Sequence, residues 1–179
     1  MPSDRVIESS TLSLFRHRPY LLYFCTRILS ALSYQISAGA VGWQVYELTG
    51  SAFQLGMVGL VQFLPNALLI FVAGHTADRY DRRLVLQLCL ASKGLVAVYL
   101  AWGSFAGWIS VSGIFAAVAV LGVAKAFESP TIAAMLPNVV PQGQMQRGTT
   151  VAAGAFQVAT IGGPALGGIA YALSPGLPY

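Results

Sequence analysis

The chain has 179 residues, 56% of them hydrophobic and 9% charged, with a mean hydropathy of +0.67. A soluble domain carries about a quarter of its residues as Asp, Glu, Lys and Arg, so the composition excludes a water-soluble globular protein and identifies a membrane protein. The net charge of +4 does not point to nucleic acid. Arg5, Arg16, Arg18, Arg79, Arg82, Arg83 and Arg147 fall in a polar tail and two short connections between apolar runs, which is the pattern of membrane topology.

Residues 1–19 are polar, end at Pro19 and read as a cytoplasmic tail. No signal peptide is expected, because the first apolar run is too long and lacks a small-residue cleavage site. Five apolar runs follow, at about 20–46, 52–76, 84–105, 111–136 and 148–173. Each is long enough for the roughly 20 residues a helix needs to cross the hydrocarbon core. The predicted fold class is therefore all-α, a polytopic membrane protein with five transmembrane helices.

Residues 47–51 and 106–110 form short turns without Lys or Arg, as outside loops do. Between the second and third runs lies the densest charge cluster, Gly74-His75-Thr76-Ala77-Asp78-Arg79-Tyr80-Asp81-Arg82-Arg83, in which five of ten residues are charged. It reads as a tight loop on the cytoplasmic surface. Residues 137–147 return the chain to that side, and 174–179 form an extracytoplasmic end. The arginines in short loops all fall on one side, which predicts an N-terminus inside and a C-terminus outside, in a cell membrane. An odd number of spans with no closing signal makes the chain read as part of a longer protein. Cys25 and Cys89 lie inside apolar runs and are expected to be free, buried thiols.

Arg27, Lys93, Lys125 and Glu128 are ionisable residues inside apolar runs. Each costs a few kcal/mol at a helix centre, so each is expected to face a partner or a water-filled cavity. Lys125 and Glu128 stand three residues apart, close enough to neutralise one another as an ion pair, or to act as a coupling element beside a substrate path. Arg27 is within snorkelling reach of the interface. Lys93 lies near mid-membrane and is expected to face an internal partner. Arg27, Ser30, Tyr34, Ser37, Val41 and Gln44 repeat at alternating spacings of three and four, placing a polar stripe on one face of the first helix. That stripe either lines a cavity or bonds to neighbouring helices. Gln62 and Asn66, beside Pro65, make a second polar patch. The candidate cavity and coupling residues are accordingly Arg27, Gln62, Asn66, Lys125 and Glu128.

The last run contains Gly162-Gly163-Pro164-Ala165-Leu166-Gly167-Gly168. Gly163 and Gly167 have the spacing that lets helix backbones approach closely, and Pro164 removes a hydrogen bond within the helix. The expected result is a bent helix with a smooth face.

These residues resemble the major facilitator superfamily of secondary transporters. That family's loop between its second and third spans has the pattern G-x-x-x-D-R-x-G-R-R/K, matched here by Gly74, Asp78, Arg79, Arg82 and Arg83. Asp81 replaces the usual Gly, and Thr76 a common Leu. Gly163, Pro164, Gly167 and Gly168 resemble the motif of proton-coupled exporters, G-x-x-x-G-P-x-x-G-G, with Ala159 in place of its first Gly. Lys125 stands where the family often carries Arg, and Ser129 takes the position of a following Gly. Residues 43–51 and 127–130 look like the branch containing enterobactin-type exporters. Asp78-Arg79-Tyr80 also spells a receptor motif, but that motif follows a third span and this one follows a second.

The resemblance implies a protein of two six-helix halves, of which residues 20–173 would be most of the first and the C-terminal half would be missing. It implies proton-coupled export of a small organic molecule, drug-like or siderophore-like, by alternating access, with membrane lipid and protons as further partners. The loop, through Asp78 and the arginines, would help hold the halves together. The alternative is a non-transporting membrane fragment. A membrane enzyme is disfavoured, because the spaced carboxylates or His/Asp metal set such chemistry needs are absent. No cofactor and no metal are expected.

Overall fold

The helix boundaries follow from short-range chemistry at their ends. Helix α1, Arg18–Thr49, begins with Pro19 in its first turn, where the missing N–H is harmless. It ends at Gly50, whose φ of 62° is a left-handed conformation that suits a residue without Cβ, and whose N–H donates to the Tyr46 carbonyl at 2.8 Å. Ser51 caps α2, Ala52–Arg79, accepting from the Gln54 N–H at 3.4 Å. Asp81 caps α3, Arg82–Phe105, accepting from the Arg83 N–H at 2.8 Å. Ser110 caps α4, Val111–Val139, accepting from the Gly113 N–H at 3.2 Å. Helix α5 spans Met145–Leu173. The computed structural model describes residues 14–179, apart from the side chain of Asp78, and among the described residues there is no strand. The tail expected at 1–19 lies outside the described residues as far as residue 13.

Helix α1 packs chiefly on α5, while α2 and α3 both pack on α4. The core runs along α4, the most deeply buried of helices α2 to α5, whereas α2 is the most exposed. Two apolar clusters sit at opposite ends. Leu14, Tyr20 and Tyr23 meet Ile132 and Leu136 of α4 near the start of α1. At the other end Val41 and Val45 pack with Val58, Leu100, Ile114 and Val118. Glycines let the backbones come close. A Cβ on Gly39 would stand 2.9 Å from the Pro164 carbonyl oxygen, and Cβ atoms on Gly163 and Gly167 would strike Gln35 and the Ile36 carbonyl. A Cβ on Gly122 of α4 would likewise strike the Gln62 carbonyl of α2. Small residues at crossings are how helices associate where lipid removes the hydrophobic drive.

Several expectations change. The segment from Gly74 to Arg83 is not a ten-residue loop. Helix α2 continues through Arg79 and α3 starts at Arg82, which leaves Tyr80 and Asp81 as the turn. Asp81, in the position where the resemblance leads one to expect Gly, serves as the helix cap. Helix α1 likewise extends into the expected turn at 47–51, and α4 runs on through Pro137 to Val139. Helices α2 to α5 are long and apolar enough to cross a membrane; by composition α1 is not, because its polar stripe dilutes its apolar residues. Cys25 and Cys89 are both free, but only Cys89 is buried, while Cys25 is exposed on the outer side of α1.

Candidate functional site

Between the two apolar clusters, polar side chains from three helices, with Phe156 of a fourth, line a cavity of about 270 Å³. Ser30 lies on the buried stripe of α1, Lys93 in the middle of α3, and Glu128 on the buried side of α4. Lys93 Nζ donates to Glu128 Oε2 at 2.7 Å and to Ser30 Oγ at 2.6 Å, and the Ser30 hydroxyl donates to Glu128 Oε1. One carboxylate thereby joins α1, α3 and α4. Both ions are about nine-tenths buried, with side-chain exposures of 10% and 9%. In apolar surroundings an unpaired charge is costly, so the pairing accounts for why both are tolerated there.

The expected Lys125–Glu128 ion pair does not form; among the described residues the one salt bridge is Lys93–Glu128. The two α4 residues are near neighbours along the helix, but both Glu128 oxygens are taken from α1 and α3. Lys125 instead lies over the Tyr34 ring, 3.8 Å from its centroid, held by the negative face of the aromatic system. Arg27 is half-buried and lines the same cavity. Its Nη1 donates to the Tyr23 hydroxyl at 2.9 Å, and its guanidinium sits 5.5 Å from the centroid of Phe156 on α5. Its Nε is buried without a hydrogen-bond partner among the described residues.

Of the five residues expected at the cavity, Arg27, Lys125 and Glu128 line it together. Gln62 and Asn66 do not. Helix α2 packs on α4 with the Gln62 carbonyl against Gly122, away from the cavity lining. The α1 stripe divides by depth. Arg27, Ser30 and Tyr34 reach the cavity, whereas Gln44 donates to Ser104 Oγ at 2.7 Å and accepts from the Tyr179 hydroxyl at 2.8 Å. Lining residues absent from the expectation include Gln35, Ser129 and Phe156. Nothing in their local pattern marks them. The Lys93–Glu128 partnership, by contrast, had a sequence signal: Glu128 is the one acid deep in an apolar run, and Lys93 the base nearest mid-membrane.

At the α2–α3 turn, Arg82 Nη1 donates to the Ala134 carbonyl of α4 at 2.8 Å, and its Nε donates to the Ala77 carbonyl at 3.3 Å. Arg79 lies 3.5 Å from the His75 ring nitrogen, Arg83 serves Asp81 through its backbone, and Gly74 has open space around it. The contact expected of Asp78 falls on a side chain outside the described residues. Gly163 and Gly167 lie in the α1–α5 crossing with Pro164, and Gly168 faces Trp43. Among the described residues no cluster of His, Cys, Asp and Glu could hold a metal ion.

A family model described as "Transmembrane secretion effector", of the major facilitator type, matches residues 9–176. Curated relatives include macrolide efflux protein A of Streptococcus pyogenes, 26% identical over 149 residues that make up 81% of this chain and 36% of that protein. The staphyloferrin A transporter of Staphylococcus aureus is 26% identical over 152 residues, 84% of this chain and 38% of that protein. The multidrug efflux pump Tap of Mycobacterium tuberculosis is 28% identical over 167 residues, 88% and 39% of the two chains. The chain thus spans less than two fifths of the length of these relatives. No solved structure gives a significant match.

Proposed function

The chain belongs to the transmembrane secretion effector family of major facilitator transporters, and from that premise we propose that it forms five spans of the first half of a proton-coupled exporter of small organic molecules. The exported molecule is drug-like or siderophore-like, and transport runs by alternating access, one half rocking against the other around a mid-membrane site. The observation that carries the reading is the Lys93–Glu128–Ser30 junction on the wall of the cavity. Glu128 is the acid placed to take up the coupling proton. Ionised, it holds α1, α3 and α4 together; protonated, it loses the charge that binds Lys93. The groups facing it are Lys93 and Cys89 from α3, Ser30, Tyr34 and Arg27 from α1, and Lys125 on α4.

Helix α1 counts as a fifth span on its 32 residues, its polar stripe being turned inward. The chain starts, the α2–α3 turn and the α4–α5 connection carry the arginines, so this end faces the cytoplasm of a cell membrane. Asp78 with Arg79, Arg82 and Arg83 forms the contact to a second half, and the α1–α5 crossing at Gly163, Pro164, Gly167 and Gly168 is a sliding surface during rocking.

The test is made on the full-length gene product in proteoliposomes with an imposed pH gradient, using ethidium and naphthoate as probes. Gradient-driven movement of a probe is expected, with loss in Glu128→Gln at normal insertion. No movement of either probe in the wild type sinks the transporter reading and favours the non-transporting fragment. Undiminished movement in Glu128→Gln removes Glu128 from the coupling role.

A further inference from the structure

The cavity wall is out of charge balance. It carries three cations, Arg27, Lys93 and Lys125, against one carboxylate, Glu128. Glu128 spends both oxygens on Lys93 and Ser30. Lys125 and Arg27 have no carboxylate within salt-bridge distance among the described residues; they rest on the rings of Tyr34 and Phe156. A ring face holds a cation less strongly than an ion pair does in apolar surroundings, and without neutralising its charge. Arg27 also keeps a buried Nε donor unused. Two positive charges and a free donor therefore meet one half-open space between apolar helices, where charge is normally matched.

We infer that this cavity binds a small organic anion, whose carboxylate or equivalent acid group is taken by Lys125 and Arg27. Phe156, Ile132 and Ala31 give its carbon skeleton an apolar wall, and Gln35 and Ser129 are neutral hydrogen-bonding groups beside it. Lys93 is already matched by Glu128 and plays no part in holding the anion. The inference names the substrate class of the site in the transport reading and rests on that reading for its physiological meaning.

The experiment uses the full-length gene product in phosphatidylcholine nanodiscs, with three probes on one skeleton: naphthoate, naphthamide and naphthylmethylammonium. Binding is read from the shift of the melting midpoint across a titration. Naphthoate is expected to raise the midpoint and the other two to leave it unchanged. Lys125→Met and Arg27→Gln are each expected to weaken naphthoate binding roughly tenfold, the weight of one charge-assisted hydrogen bond, while Lys125→Arg retains it. Equal responses to the acid and the amide in the wild type overturn the inference without any variant having to fold. So does an unchanged naphthoate affinity in both charge-removing variants. Phosphatidylglycerol added to the discs separates two sources of the same chemistry: if it abolishes the naphthoate response, the cavity holds a lipid headgroup and the small-anion inference fails. Naphthoate binding without gradient-driven transport upholds the anion site and sinks the transporter. Gradient-driven transport of ethidium with no response to naphthoate does the reverse.

Discussion

At the α2–α3 turn, the charged side chains bond to backbone groups at positions that water reaches. Asp81 caps the helix it precedes, and Arg82 reaches carbonyls at the ends of α2 and α4. In the cavity, Glu128 depends on Ser30, ninety-eight positions away in sequence, and on Lys93, thirty-five away. Water competes for and also supports the charges at the turn, so each bond there is worth little and the loss of one is tolerated. The interior charges have no such substitute. Breaking one side of a buried pair leaves the other ion stranded, and the penalty is that of a buried charge rather than of a single hydrogen bond. Both regions join helices through charge, but the turn does so with single ions on backbone carbonyls and the cavity with a mutually dependent buried pair.

The largest effect is expected from Glu128→Ala, which strands Lys93 in the interior. We expect a loss of about 3–5 kcal/mol, measured as a fall in the melting midpoint of the solubilised protein. The double substitution Lys93→Met with Glu128→Met should restore most of it. A double variant as unstable as the single one would mean that the junction contributes more than mutual neutralisation. Removing Arg82's donors at the turn with Arg82→Met should cost roughly 1.5 kcal/mol, the lower end for charged hydrogen bonds. A drop as deep as that of Glu128→Ala would erase the distinction between the two regions. The smallest effect belongs to Asp81→Ala, about 1 kcal/mol for a lost helix cap, with Asp81→Gly only a few tenths below the wild type. If glycine were as harmful as alanine, the cap would not be what Asp81 supplies.

Much of the helical layout was legible because membrane-spanning helices are written in contiguous apolar runs, and caps lie within a few residues of what they cap. The runs near 52–76, 84–105 and 111–136 fall within α2, α3 and α4. The turn was misjudged in length because a run of charges looks like loop, although Asp78 and Arg79 continue a helix whose interior is apolar. The site was legible only in part. Arg27, Lys125 and Glu128 stood out because charge is rare in an apolar run, and they do converge. Gln62 and Asn66 stood out for the same kind of reason yet lie off the cavity, since polarity shows that a residue avoids lipid but not which neighbour it meets.

What the sequence by itself determined is the membrane-protein class, the order and approximate bounds of the helices, the side that carries the arginines, and the small-residue crossing surface of α5. These depend on composition and on neighbours along the chain. Only the tertiary structure decided that Glu128 belongs to Lys93 and Ser30 rather than to Lys125, that Lys125 rests on Tyr34, and that Phe156 of α5 closes the wall beside Arg27. Those choices depend on which helix faces lie against one another, and glycine crossings at Gly39, Gly122, Gly163 and Gly167 set that arrangement through contacts between segments far apart in the chain.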